Sequence, residues 1–392
     1  MPQRTEVGLV YATGLVQGLA LVTFPAASSI FTSPEGYGFS ASRYGMMFVP
    51  QVVLAILASS LGPYMARRWT LKRVLQAGMI ADLLAMLLLA LSSVLQRVPA
   101  AAYGVLLVAT GALGFGFGTV VMALNIYAEQ FSPGREDRAV LSLNALLGAG
   151  TALAPLLVAI FTGLGAWWLL PLTVAAALAG LLLFSAGQPL IALAVGATGA
   201  AKFQHLPRRF WLYAAAVLLY GIAETLNGNW SGPYLSERGV SAGGASLALA
   251  AFWGMVTIGR ILFAALSTKT TVRWIYAGLP VLLIVAFQAI LRVRSETGGI
   301  IAFGLAGLAC SAFFPLCISL SGNELPRFAA AMSGELVAFY QAGYGVAAFG
   351  VGPLRDLTGR PLAIIYTVGT LVAAVMLMAA ITVVVRGAKA RL

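Results

Sequence analysis

The sequence predicts an all-α membrane protein with twelve transmembrane helices in two six-helix, pseudo-symmetric halves. Hydrophobic residues fill 60% of the 392 positions and charged residues only 9%, against about 25% charged in an ordinary soluble domain. Twelve apolar runs reach or approach the roughly 20 residues that carry a helix across a bilayer. Short motifs also recur about half a chain length apart.

The runs cover 8–31, 44–66, 74–95, 100–129, 138–162, 166–185, 209–235, 243–267, 274–292, 298–322, 328–353 and 361–385. "FPAASSIF" (24–31) has the small residues of a cleavage region, but a long apolar stretch precedes it and eleven more runs follow. A retained first helix is expected, with no cleaved signal. Gly114, Gly116 and Gly118 in the fourth run let a neighbouring helix come close. No strand precedes them and no Lys-Ser/Thr follows, so they are not read as a phosphate loop. Pro25, Pro50, Pro155, Pro171, Pro280, Pro315 and Pro353 fall in or near runs, which membrane helices tolerate when neighbours satisfy the freed carbonyls. Cys310 and Cys317 share the tenth run. Helical rise separates them by about 10 Å, too far for a disulfide, so they are expected to pack.

Between the sixth and seventh runs lies "SAGQPLIALAVGATGAAKFQHLPRR" (185–209), punctuated by Gly, Pro and cations. The expected organisation is a six-helix bundle over 1–184, a cytoplasmic linker over 185–208 and a second bundle over 209–392. His205, the only histidine, falls in the linker and is read as incidental. "GFSA" (38–41) and "GVSA" (239–242) follow the first and seventh runs, 201 residues apart. Arg67 and Lys269 are 202 apart, and Pro133/Pro326 and Gly150/Gly343 are each 193 apart. The matches fall at equivalent helices, which argues for a duplicated six-helix unit.

A net charge of +12 raises the question of nucleic acid. With both termini inside, however, 17 of the 24 basic residues fall in cytoplasmic loops and helix ends. The positive-inside bias therefore accounts for most of the basicity. The expected setting is the lipid bilayer of the cell (inner) membrane, with both termini cytoplasmic and no nucleic-acid partner.

Six plus six helices with a long central loop resemble the major facilitator superfamily. "GPYMARRWTLKR" (62–73), between runs two and three, is similar to the family's signature loop: Gly62, Arg67, Arg68, Lys72 and Arg73 match, while Ala66 stands where an acid is expected. "FWGMVTIGRILF" (252–263), "GFGFGTVVMALNIYAEQF" (114–131) and "LNALLGAGTALAPLL" (143–157) resemble the fucose-permease-like sugar:proton symporter branch. The resemblance implies a cytoplasmic gate formed by Gly62, Arg67, Arg68, Arg73 and Arg260. Without the acid, that network would have to be rebuilt with Glu129, Glu324 or Glu335. The fourth-helix arginine of proton-driven drug antiporters is absent.

Four ionisable groups lie well inside runs: Asp82, Glu224, Arg260 and Glu335. A centred charge costs about 2.5–3.5 kcal/mol on insertion scales, so each needs a partner, water or a proton. Arg260 lies near a cytoplasmic end, where it can snorkel or cap. Asp82, on a helix peripheral in the family, is expected to pair with a basic loop residue, and Glu335 with Arg260 or the gate. Glu224 differs: it stands about fifteen residues, roughly 22 Å, into its helix, with no cation on that helix at its depth. It is the first candidate for proton coupling, ahead of Glu335 and Asp82. Hydrogen-bonding groups at similar depth are candidate solute contacts: Gln17, Asn125, Asn144, Asn227, Asn229, Trp230, Tyr340, Gln341 and Tyr344. Amides donate and accept together, which suits hydroxyl-rich solutes, and the Trp230 face could stack on a sugar ring.

The expected function is a secondary transporter of a small polar solute, sugar-like, working by alternating access with protons. An exporter of drugs or metabolites is the alternative. A membrane-embedded enzyme would need a nucleophile, a metal set or paired carboxylates at the surface, and with one linker histidine and no close acid pair within a run the sequence offers little for it. No cofactor or metal is expected, the partners are solute, protons and lipid, and the chain is expected to act as a monomer. The charge bias yields a first test. A reporter active only in the cytoplasm, fused to Leu392, is expected to give signal, and a signal confined to the opposite compartment would invert the topology.

Overall fold

The computed structural model describes residues 3–191, 207–266, 271–325 and 329–389, and these contain helices and no strand. The chain divides into two compact units, Met1–Thr198 and Gly199–Leu392. Most of the expected linker, with His205, lies outside the described residues, as do Lys269 and Pro326.

In the first unit, α1 (Arg4–Ala26) and α2 (Ser28–Thr32) make one interrupted span, and α3 (Ala41–Met46) with α4 (Val49–Arg68) a second. Four more follow: α5 (Leu71–Val94), α6 (Pro99–Phe131), α7 (Glu136–Gly163) and α8 (Leu169–Ala186). The second unit holds α9 (Phe210–Glu237), α10 (Ala242–Leu266) and α11 (Thr271–Leu291), then α12 (Glu296–Cys310) and α13 (Phe313–Glu324) as one broken span, then α14 (Ala329–Thr358) and α15 (Leu362–Lys389). Fifteen helices therefore make the twelve expected spans. Among the described residues, eleven spans are long and apolar enough to cross a membrane. The twelfth is α14, which carries Glu335, Tyr340, Gln341 and Tyr344 and is more polar for that reason. This is a multi-pass membrane protein.

Glycines set how closely the helices approach. A Cβ on Gly18 would stand 2.0 Å from the Leu147 carbonyl oxygen, and one on Gly150 2.0 Å from that of Leu15, so α1 and α7 touch backbone to backbone. In the second unit Gly221 and Gly343 do the same for α9 and α14, facing the carbonyl oxygens of Tyr340 at 2.5 Å and Leu218 at 2.0 Å. Gly114 brings α6 to 2.1 Å from the Gln51 carbonyl of α4, and Gly307 brings α12 to 2.1 Å from the Phe252 carbonyl of α10. Gly114 and Gly307 are 193 residues apart, as are Gly150 and Gly343, while Gln51 and Phe252 are 201 apart. The duplication thus extends to individual backbone contacts, where small residues are required.

The repeated Gly-x-Ser-Ala motif has a matching local cause. Gly38 (φ 62°) and Gly239 (φ 75°) both adopt the left-handed conformation that glycine accepts without strain. Two residues on, Ser40 accepts from the Arg43 amide at 3.3 Å and Ser241 from the Gly244 amide at 3.0 Å. These bonds start α3 and α10 as N-caps do.

The signature stretch corrects an expectation. Residues 62–68 are not loop but the last turns of α4, and only Trp69 and Thr70 separate α4 from α5. Ala66 is buried in a cluster with Leu71, Val74 and Tyr127, so a methyl packs where the resemblance places an acid. Lys72 donates to the Ala186 and Gln188 carbonyls at 3.0 and 2.6 Å, capping the end of α8. Glu324, one candidate for a rebuilt network, instead pairs with Arg209 and accepts from Tyr213 Oη at 2.5 Å.

The glycine contacts generate a test with opposite signs. Gly150→Ala is expected to destabilise by about 1–3 kcal/mol through overpacking. At Gly180, where an added Cβ meets nothing within 4 Å, Ala should be neutral or stabilise by up to about 1 kcal/mol. Thermal unfolding of the detergent-solubilised protein measures both.

Candidate functional site

Glu224 is 4% exposed, and two phenols hold it. Tyr220 lies one helical turn earlier, on the same face of α9, and its hydroxyl donates to Glu224 Oε1 at 2.5 Å. Tyr340 donates to Oε2 at 2.6 Å from α14. Tyr340 reaches the carboxyl because Gly221, next to Tyr220, lets the α14 backbone come against α9. Phe313 and Phe314 stack on Tyr220 at centroid distances of 5.6 and 6.2 Å, and Phe314 also packs on Tyr340 at 5.3 Å. No Lys or Arg hydrogen-bonds to Glu224 among the described residues.

The same phenol reaches a break in a helix. Pro315 has no N–H, so the carbonyl four residues back, that of Ser311, loses its helical partner, and the span separates into α12 and α13 around Ser311 and Ala312. Arg260 Nε donates to the freed Ser311 oxygen at 3.2 Å. Tyr220 Oη lies 3.0 Å from the Cys310 carbonyl oxygen. A phenol has one proton to donate, and two acceptors compete for it. When Glu224 is ionised, Tyr220 donates to the carboxylate and the Cys310 carbonyl goes without. When Glu224 carries a proton it can donate to Tyr220 Oη, and the Tyr220 proton turns to Cys310.

The other expected residues divide by position. In the second unit, Asn229 Nδ2 donates to Tyr344 Oη at 3.3 Å, and Asn227, fully buried, donates to the Ala223 carbonyl at 2.8 Å with its Oδ1 unpartnered. Gln341 is half-buried on α14. Trp230 requires a correction: it is fully buried and its indole N–H donates to the Ala347 carbonyl at 3.0 Å, so its ring packs α9 on α14 and has no open face for a sugar. Glu335 is exposed, and no ion pair joins it to Arg260 among the described residues.

In the first unit, Asn125 and Asn144 are half-buried, and each donates to the carbonyl one turn back in its own helix, at 2.8 and 2.9 Å. Gln17 is fully buried among helices, not open to a solute. Asp82 is also fully buried and has no basic partner, contrary to the expected loop pairing, because the cations of α4 and α5 lie at the helix ends. Sequence reasoning missed Tyr220 and the Cys310 carbonyl. The four-residue spacing of Tyr220 and Glu224 is a signal that could have identified the phenol.

No family model matches the chain, and no curated protein matches it in sequence. Solved structures match its fold. A point mutant of the nucleoside transporter NupG is 13% identical with a TM-score of 0.78, covering 96% of this chain and 99% of that one. A D-xylose-proton symporter is 14% identical at 0.72, covering 95% and 96%. A point mutant of the Escherichia coli fucose:proton symporter FucP is 16% identical at 0.57, covering 96% and 98%. A further FucP structure is described as a Major Facilitator Superfamily transporter in the outward conformation. The chain shares the fold of these solved transporter structures.

The break generates its own prediction. Arg260→Met leaves the Ser311 carbonyl unpartnered and is expected to destabilise by about 0.6–1.7 kcal/mol, the range for hydrogen bonds in membrane bundles. In a Pro315→Ala background, where a backbone N–H returns to residue 315, the same change should cost much less. Equal costs in the two backgrounds, measured as a double-mutant cycle, would separate Arg260 from the break.

Proposed function

We propose that the protein is a secondary transporter that moves a small, hydroxyl-rich polar solute by alternating access, with protons coupled through Glu224. The observation that carries this reading is a nearly buried carboxyl hydrogen-bonded by two phenols, one of which also serves a helix break where Arg260 is the neighbouring cation. A group so placed can take a proton from one compartment and release it to the other, and the Tyr220 hydroxyl passes its state to the α12–α13 backbone. Glu335, exposed on α14, is the second candidate for coupling.

Solute contacts are assigned to Asn125 and Asn144 of the first unit and to Asn227, Asn229, Tyr340, Gln341 and Tyr344 of the second. Asn227 stands three residues from Glu224 on the same helical face, so solute held there would sense the carboxyl. The fold neighbours described as D-xylose-proton and fucose:proton symporters support a sugar-like solute with proton drive, and the nucleoside transporter extends the class to ribosides. Arg67, Arg68 and Arg73, exposed about the α4–α5 turn, are assigned to the cytoplasmic gate with Gly62, against which Met122 packs. Arg260 serves the helix break. The chain is placed in the inner membrane as a monomer, with both termini cytoplasmic.

Glu224→Gln keeps the shape of the protonated acid and removes its titration. Once a thermal-shift screen of sugars and nucleosides has identified a ligand, the variant in proteoliposomes is expected to retain solute binding and counterflow exchange. Accumulation driven by a proton gradient is expected to disappear. A Gln variant that concentrates solute like the parent would move the coupling to another group.

A further inference from the structure

The first unit contains a second buried carboxyl. Asp82 on α5 and Gln17 on α1 are both 0% exposed, and none of their four side-chain polar atoms has a hydrogen-bond partner. The Gln17 amide of α1 faces the Asp82 carboxyl of α5, and no hydrogen bond is made between them. On the other side α6 presents Gly116, where a Cβ would fall 2.1 Å from Asp82 Oδ1, so bare backbone closes the site. The neighbouring hydroxyl of α6, Thr119, is committed to the Phe115 and Gly116 carbonyls at 2.9 and 3.1 Å.

Among the described residues, no charge faces the carboxyl from the helices packed on α5. The charges of α1 are Arg4 and Glu6 at its start, those of α4 are Arg67 and Arg68 at its end, and α6 has only Glu129 near its end. The other charges of α5 itself, Lys72 and Arg73, are in its first turn, and α8 has none.

An ionised carboxylate without donors or cation is costly in such surroundings. Gln17 offers amide protons, but its own Oε1 would still have no donor. One proton changes the count. A protonated Asp82 can donate O–H to Gln17 Oε1 while Gln17 Nε2 donates to the other Asp82 oxygen, closing a two-bond ring between acid and amide. Gln17 immediately precedes the close-contact Gly18, as Tyr220 precedes Gly221, and each pair is 203 residues apart. The first helix of each unit, α1 and α9, thus sets the side chain before a tight-contact glycine against a buried carboxyl.

We propose that Gln17 and Asp82 form a second proton-binding site, in the first unit, which ties α1 to α5 when protonated. This site goes beyond the Glu224 reading and does not rest on it. Infrared difference spectroscopy of the full-length reconstituted protein tests it, in the Glu224→Gln background so that Glu224 cannot contribute. The expected result is a protonated-carboxyl C=O band that disappears with Asp82→Asn. In Gln17→Leu, which leaves the acid in place, the band should move to the position of an acid without a hydrogen-bonded partner. Counterflow exchange should also lose part of its pH dependence in either variant. A band unchanged by Asp82→Asn, or no carboxyl band at any pH where the protein stays folded, would overturn the proposal. Should Asp82→Asn fail to fold, an unmoved band in Gln17→Leu would overturn it equally.

Discussion

The second unit is organised around one hydroxyl proton with two acceptors. Tyr220 lies 2.5 Å from Glu224 Oε1 and 3.0 Å from the Cys310 carbonyl, and its single proton is divided between them. The competition exists because Pro315 interrupts the tenth span and exposes carbonyls that a continuous helix would have satisfied. Arg260 Nε donates to one of them, that of Ser311. The other, that of Cys310, shares Tyr220 with Glu224, and in the proposed mechanism the proton on Glu224 decides the sharing. Among the described residues no cation is bonded to Glu224, and Arg260, the nearest cation named at the break, is bonded to the Ser311 carbonyl.

This arrangement needs helices closer together than ordinary side chains allow. Gly221 and Gly343 press α9 and α14 together until Tyr340 reaches the carboxyl, and Gly18 and Gly150 press α1 against α7 in the same way. In a membrane no hydrophobic force drives helix association, so backbone contact and interhelical hydrogen bonds supply the cohesion. The same contacts set the register of the polar residues. The residues before Gly18 and Gly221, Gln17 and Tyr220, are both buried, and each is set against a carboxyl.

Much of the fold was legible in the sequence because a bilayer imposes a simple rule on composition. Twelve apolar runs map onto twelve spans, and Gly38/Gly239 and Gly150/Gly343 signalled a repeat that the backbone shows in detail. The breaks were less legible. Proline marked them, but many prolines sit in unbroken spans here, among them Pro155, Pro233 and Pro353, so the residue alone does not say where a helix ends. Glu224 stood out as a charge without a same-helix cation, whereas its partners came from another helix and from one tyrosine a turn away. Trp230 shows the converse: an aromatic at the right depth reads as a ligand platform until its face is seen to be covered. Asp82 was read as half of an ion pair because membrane charges usually find partners, and its surroundings contain an amide and bare glycine backbone instead.

The central claim is that the protonation state of Glu224 is written into the backbone at Cys310. The chain has only two cysteines, so carbonyl-¹³C cysteine in a Cys317→Ala variant labels a single peptide carbonyl at the break. Isotope-edited infrared spectra of that carbonyl across a pH titration read its hydrogen bonding directly. The account predicts a shift to lower frequency as Glu224 takes its proton, and no pH-dependent shift in Glu224→Gln or Tyr220→Phe. A labelled carbonyl that ignores pH in the parent, or that shifts equally in Tyr220→Phe, would contradict it.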